Sequence, residues 1–167
     1  MDTFLAITSK RDTRRYGDRP IPADVQNRIF EAGRLAGSAR NRQPWRFVVV
    51  ESAARRAQLA EAVYEPTNVL GAQLVVAIVG SSGLDGGRCL QNMMLAAWND
   101  GVGSCPNGFR DEEAARGLLD ARPDQELLIG ISFGYPASLR RPERRPAEAW
   151  LARARRLPLE EVVQAWL

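Results

Sequence analysis

Residues 38–47 read Ser38-Ala39-Arg40-Asn41-Arg42-Gln43-Pro44-Trp45-Arg46-Phe47, a stretch that divides into a polar loop and the start of a strand. Upstream, Ile21, Val25, Ile29, Ala32 and Ala36 step by three or four, which predicts a helix from Pro22 to about Leu35. Pro22 suits its first turn, and Asp24 adds favourable charge there. Gly37 to Pro44 cannot extend that periodicity and reads as loop. Trp45 to Val50 is aromatic and β-branched, hence strand. Before the helix come a short helical segment, Thr3 to about Ser9, and a charged turn, Lys10 to Tyr16, closed by Pro20 and Pro22.

Downstream the pattern predicts a helix over Ser52–Val63, a loop through Pro66 and Asn68, and a second strand over Leu74–Val79. A break at Ser81–Gly87 overlaps the start of a long helix, about Asp85 to Asp100. Leu90, Met93, Met94 and Ala97 make one apolar stripe on it; Leu95, Trp98 and Val102 make another. Apolar on two sides, that helix is buried on two sides, either centrally or in a subunit interface. Gly103 to Phe109 reads as a loop, Asp111 to Leu119 as a short helix, and Leu127 to Phe133 as a third strand ended by Gly134-Tyr135-Pro136. An Arg/Pro tract follows, and Pro158 to Leu167 reads as a last short helix. No repeat and no linker interrupts this, so one domain over residues 1–167 is expected. Gly80-Ser81-Ser82-Gly83 lacks the spacing of a dinucleotide or P-loop motif and reads as a strand-to-helix turn.

Composition narrows the chemistry. The 167 residues are 45% hydrophobic and 26% charged, too apolar for a disordered chain. There is no His, which removes Ser-His-Asp and Cys-His triads, H-E-x-x-H metalloproteases and His-containing zinc sites. Lys10 is the only lysine, leaving little scope for Schiff-base catalysis. Cys89 and Cys105 are an unpatterned pair, expected as reduced thiols in the core or near a site. Redox or acid–base work therefore points to a borrowed cofactor. Met1-Asp2-Thr3 carries no basic leader and no apolar run reaches the ~18 residues of a membrane span, so a cytoplasmic protein is expected.

The net charge of +3 is uneven: Arg140 to Arg156 carries seven Arg against two Glu. Such a tract can meet nucleic acid, an anionic membrane surface or a phosphate-bearing ligand. Pro142, Pro146 and Pro158 break any membrane-surface helix, and no Phe or Tyr is interleaved for stacking on bases. Three polar segments are candidate site elements. Lys10 to Arg15 could clamp a phosphate or simply cap and solvate a helix end. Ser38 to Trp45 carries amides able to read the edge of a planar heterocycle, or to satisfy local backbone. Gly103 to Phe109 is small enough for close backbone approach to a ligand, or is simply a turn.

Taken together these segments resemble the FMN-dependent nitroreductase family. Lys10-Arg11-Asp12-Thr13-Arg14 is similar to its phosphate motif, Arg-Arg-Ser-x-Arg. Ser38 to Phe47 resembles its diagnostic string, Pro-Ser-x-x-Asn-x-Gln-Pro-Trp-x-Phe. Leu90 to Ala97 with Gly101-Val102-Gly103-Ser104 is similar to its central helix and following loop. Gly134-Tyr135-Pro136 and Arg156 to Val163 resemble its last core strand exit and its C-terminal arm. Lys10, Asp12 and Gly37 depart from the usual Arg, Ser and Pro.

The resemblance implies an α+β, three-layer α/β/α fold with a mostly antiparallel central sheet and a C-terminal arm exchanged in a homodimer. It implies FMN between the subunits. Arg11, Arg14 and Arg155 or Arg156 would hold the phosphate, with Lys10 and Asp12 beside them. Ser38, Ala39, Asn41 and Gln43 would lie along the flavin, and the backbone at Asn107 and Gly108 would meet flavin N5. Lys10 or Arg14 would offset charge on the reduced ring. The implied reaction takes hydride from NAD(P)H and reduces nitroaromatic, quinone or similar acceptors in ping-pong order, with no protein nucleophile, metal, nucleic acid or membrane partner. Asp12 also matches a flavin-fragmenting branch that makes dimethylbenzimidazole. A non-enzymatic nucleic-acid or flavin binder is the remaining alternative.

Overall fold

Leu74–Val79 forms, in the computed structural model, the buried strand that its unbroken apolar run predicts. The period-2 geometry of a strand sends alternate side chains to opposite faces. Leu74, Val76 and Ile78 join Ile29, Met93 and Phe133 in one core. Val75, Ala77 and Val79 join Leu59, Val63, Val69 and Leu119 in another. A strand covered on both faces needs no polar alternation, and each large side chain enclosed this way contributes about 1.5–3 kcal/mol.

Residues 1–80, 83–138 and 140–163 are described. In chain order the elements begin α1 (Thr3–Ser9), α2 (Ala23–Arg34), β1 (Arg46–Val49), α3 (Ala53–Glu61), α4 (Pro66–Leu70) and β2 (Leu74–Val79). They continue with α5 (Gly83–Asn99), β3 (Gly103–Asn107), α6 (Glu112–Leu118), β4 (Leu127–Gly134), α7 (Ala147–Leu151) and α8 (Leu159–Val162). Two compact units emerge: residues 11–140, and residues 1–10 with the chain after 140.

The larger unit is built on a sheet of order β1-β2-β4-β3, antiparallel at every pairing among the described residues. Helices α2 and α5 cover one face, while α3, α4 and α6 cover the other. This is the expected three-layer architecture. Helix α5 buries Cys89, Met93, Met94, Ala97 and Trp98, so both apolar stripes read from the sequence have members in the interior. In the smaller unit, Asp2 caps α1 by accepting from the Leu5 N–H at 3.1 Å, and the Trp150 indole N–H donates to the Pro142 carbonyl at 3.1 Å.

The main correction concerns residues 103–109, expected as a loop. Gly103–Asn107 is a strand, so the sheet has four strands where three were expected. Its Gly-Ser-Cys-Pro-Asn composition argues against a strand locally. It is held by pairing with β4 on one side only, and an edge position tolerates Pro106. Asn68, expected in a loop, lies in the single-turn helix α4, with Pro66 in its first turn. The Arg/Pro tract, left without structure by the sequence reading, contains a 3-10 turn at Pro142–Arg144 and α7. Of the last predicted helix, Leu159–Val162 is helical; residues 164–167, with Trp166 and Leu167, lie outside the described residues, as do Ser81 and Ser82.

Candidate functional site

Asp12 to Gly17 runs extended and is stitched to the sheet at two places. Asp12 bridges Ser104 in parallel, and the Thr13 N–H donates to the Ser104 carbonyl at 2.9 Å. Further on, Tyr16 bridges Pro136, the Gly17 N–H donates to the Tyr135 carbonyl at 2.9 Å, and the Ala137 N–H donates to the Arg15 carbonyl at 3.0 Å. The basic turn is thus fixed between the edge strand β3 and the loop leaving β4. Thr13 is buried inward while Arg14 is exposed. Gly103 permits the approach, because a Cβ there would collide with the Thr13 hydroxyl.

Beside this segment lies an open cavity of about 460 Å³ between Asp12–Arg15 and Pro136–Ser138, with Arg140 on its wall. Arg14 Nη2 stands 4.0 Å from Asp12 Oδ2, a loose and exposed pair that contributes little stability. Thr13 Oγ1 and Ser104 Oγ are both buried with no hydrogen-bond partner. Buried hydroxyls are costly when unpaired, so such atoms point to a group that completes them.

Behind β3 runs a buried polar chain. The Asn68 amide N–H donates to Asn107 Oδ1 at 3.0 Å, and Asn107 Nδ2 donates to the Cys105 carbonyl at 3.0 Å and to Ser132 Oγ at 3.2 Å. The Tyr16 hydroxyl lies 2.9 Å from Ser132 Oγ. Burial pushes the Tyr16 phenol well above its ordinary pKa, although the Ser132 hydrogen bond acts the other way. The chain holds buried Asn107 inside the protein, and half-buried Gly108 beside it accepts from the Tyr64 N–H at 3.1 Å. Ser104 and Asn107 are three residues apart, ~10 Å along a strand.

The polar loop 38–43 is organised but lies elsewhere. Ser38 Oγ accepts from the Gln43 N–H at 2.8 Å, closing the loop, and the Ala39 N–H donates to buried Asp85 at 3.4 Å. Arg40, Asn41 and Gln43 have φ of 53°, 53° and 49°, left-handed values that cost energy in residues with a Cβ. Asn41 and Gln43 are exposed. Arg46, just after the loop, pairs with Val79, and Val79 with Leu127; Ser104 pairs with Phe133. The loop and the Thr13–Ser104 contact therefore occupy diagonal corners of the sheet, ~14 Å apart across the strands and ~20 Å along them.

Of the residues expected at a site, Asp12 and Arg14 line the cavity, Asn107 ends the edge strand β3, and Gly108 follows it. Arg11 is half-buried and does not line the cavity. Ser38, Ala39, Asn41 and Gln43 are not brought to it within one chain. Lys10, Arg155 and Arg156 belong to the smaller unit, where Arg156 Nη1 donates to the Ala154 carbonyl at 2.9 Å and exposed Arg155 has a φ of 37°. Arg15, within the segment read as a candidate phosphate clamp, also lines the cavity; sequence reading missed Ser138 and Arg140 on it, and Tyr16, Asn68 and Ser132 behind it. The signal for Arg140 was present only as one count in the basic tract. Cys89 and Cys105 are buried and are not joined in a disulfide. Among the described residues no cluster of His, Cys, Asp or Glu could hold a metal, and no helix is long and apolar enough to cross a membrane.

The sequence model of the nitroreductase family matches residues 7–83 and 80–135. An NADH dehydrogenase of Thermus thermophilus is 27% identical, with 98% of this chain and 95% of the relative covered. A protein of Desulfovibrio desulfuricans designated a nitroreductase, solved in complex with FMN, is 26% identical with a TM-score of 0.80, covering 100% of this chain and 98% of its own. A nitroreductase family protein of Clostridium difficile superposes with a TM-score of 0.82 over 98% of each chain at 22% identity, a likeness of fold.

Proposed function

The chain belongs to the nitroreductase family, and from that premise we propose that it is an FMN-dependent oxidoreductase taking hydride from NAD(P)H and reducing nitroaromatic, quinone or similar electrophilic acceptors. The observation that carries this reading is the cavity walled by Arg14, Arg15 and Arg140, next to the point where the basic turn bridges the edge strand β3 and where the buried hydroxyls of Thr13 and Ser104 have no hydrogen-bond partner. These groups fit a flavin mononucleotide: cations and hydroxyl donors suit its phosphate, and the edge of β3 suits the rest. When bound, FMN supplies the electron chemistry, so a protein without His loses nothing by lacking a nucleophile or general base of that kind.

The protein's own groups then have defined tasks. Arg14 binds the phosphate, with Arg11 and Arg155 or Arg156 as the further cations the family motif implies. Backbone at Asn107–Gly108 orients the ring, and the Asn68–Asn107–Ser132–Tyr16 chain keeps that backbone in place. Lys10 or Arg14 offsets the negative charge that reduction adds. Ser38, Ala39, Asn41 and Gln43 complete the site from a second copy of the chain, since one copy leaves them at the opposite corner of the sheet. NAD(P)H and the acceptor then use the same opening in turn.

Visible absorption of the purified protein tests the reading. Flavin bands that bleach with NAD(P)H under anaerobic conditions and return on adding a quinone or nitroaromatic are expected. Added FMN that neither binds nor protects against unfolding would overturn it. Loss of FMN with formation of a fragmentation product would favour the flavin-consuming alternative, and a colourless protein with steeply salt-dependent DNA binding would favour the nucleic-acid one.

A further inference from the structure

We propose that Arg140, on the loop leaving β4, is a phosphate-binding residue of this site, acting with Arg15 and Ser138; the inference rests on the FMN reading above. Arg140 and Ser138 lie outside the basic turn and the arm residues that the family resemblance points to, and Arg15 follows the matched motif Lys10–Arg14.

The cavity wall carries one carboxylate, Asp12, and three guanidinium groups, Arg14, Arg15 and Arg140. Asp12 stands 4.0 Å from Arg14 and offsets it. Arg15 and Arg140 form no ion pair among the described residues, so the wall retains two uncompensated positive charges. A phosphate monoester carries about −1.5 to −2 at pH 7, which those two cations match. Asp12 stands in the same wall, so the cations beside it must outweigh its charge before an anion can bind there.

Geometry supports the same assignment. The Ala137 N–H to Arg15 carbonyl bond and the Tyr16–Pro136 bridge hold the loop against the basic turn. Arg140 shares the cavity wall with Arg14 and with the tied residues Pro136 and Ala137. Thr13, in the same wall, is buried with its hydroxyl packed toward Gly103, so it anchors the segment that carries Arg14 and Arg15. A guanidinium fork can engage two phosphate oxygens at once, whereas a hydroxyl such as that of Ser138 donates one bond.

The experiment compares FMN with riboflavin, which lacks the phosphate. Dissociation constants are measured by flavin fluorescence for the full-length wild type, Arg140→Ala, Arg140→Lys and Arg122→Ala. Arg122 is an exposed arginine paired with Asp124 and serves as the control for general charge loss. Expected is an FMN affinity at least tenfold weaker in Arg140→Ala, riboflavin affinity unchanged within twofold, partial recovery in Arg140→Lys, and no effect in Arg122→Ala. The FMN-to-riboflavin preference of the wild type should also shrink as salt rises. Wild type that binds FMN while Arg140→Ala binds it equally well would overturn this inference alone. Equal weakening of FMN and riboflavin would also overturn it, showing a structural role. Wild type that binds neither flavin would overturn the FMN reading together with it.

Discussion

A Cβ on Gly103 would stand 2.6 Å from Thr13 Cβ and 2.9 Å from Thr13 Cγ2, closer than side-chain carbons pack. Gly103→Ala must therefore push the basic turn off the edge strand. Overpacking of this kind costs about 1–3 kcal/mol, and here the displaced segment carries Arg14. The variant should unfold at lower urea and hold FMN more weakly, whereas Arg14→Ala, at an exposed position, should lose FMN affinity with its urea midpoint nearly unchanged. Equal flavin affinity in Arg14→Ala would refute its phosphate role. Cys89 shows burial acting on a titratable group: desolvation, with Asp85 adding to it, pushes the thiol from 9.0 up to about 11. The folded state then keeps its proton where the unfolded state releases it. Its contribution to stability is full below pH 9 and is lost as pH rises towards 11. The Tyr16 phenol, also raised, adds a loss in the same direction at higher pH. Urea midpoints measured from pH 8 to 11 should fall, and fall less steeply in Cys89→Ala. The family was legible where a string of side chains carried the resemblance, as in Asn41-Arg42-Gln43. Thr13 was not legible, because its importance lies in a missing hydrogen-bond partner.

Helices expose the same contrast between sequence and surroundings. Gly33 in α2 and Gly117 in α6 look alike in sequence, each lowering helix propensity by about 1 kcal/mol relative to Ala. A Cβ on Gly117 meets nothing within 4 Å, while one on Gly33 would lie 2.7 Å from Met93 Cγ and 2.9 Å from Phe47 Cζ. Gly117→Ala should raise stability by about 0.5–1 kcal/mol. Gly33→Ala should lower it by about 1–3 kcal/mol, because it wedges α2 off α5 and the sheet. Chemical denaturation of the two variants side by side checks the opposite signs. Elements with a strong internal period were readable: α2 from its spacing of three and four, β2 from its apolar run. Strand β3 was not, since nothing in Gly103-Ser104-Cys105-Pro106-Asn107 favours an extended chain except its partner β4, at Gly130–Gly134. Pairing with β4 supplies the stability that propensity lacks, which is the usual reason strand prediction fails at edges.

At the scale of the molecule, the two halves of the expected flavin site face a distance that no local signal announced. Motif order along the chain places Arg14 and Asn41 27 residues apart. Their separation follows from strand order β1-β2-β4-β3, which puts β1 and β3 on opposite edges. Sheet order is a tertiary choice, invisible to periodicity, so the sequence could name the residues without locating them. A closed two-fold dimer resolves the conflict, because a two-fold interface presents one chain's corner to the other's and repeats the contact reciprocally. Each site would then draw Arg14 from one chain and Asn41 from its partner. Subunit complementation follows directly. Arg14→Ala and Asn41→Ala should each weaken FMN binding at every site of their own dimers. In a mixed dimer, one site receives both substitutions and the other receives neither. After subunit exchange of equal amounts, about a quarter of all sites should regain wild-type affinity. Flavin titration would resolve that tight fraction. A mixture that binds only as the sum of its two parents, under conditions where exchange is verified, would place the whole site within one chain and overturn the shared arrangement.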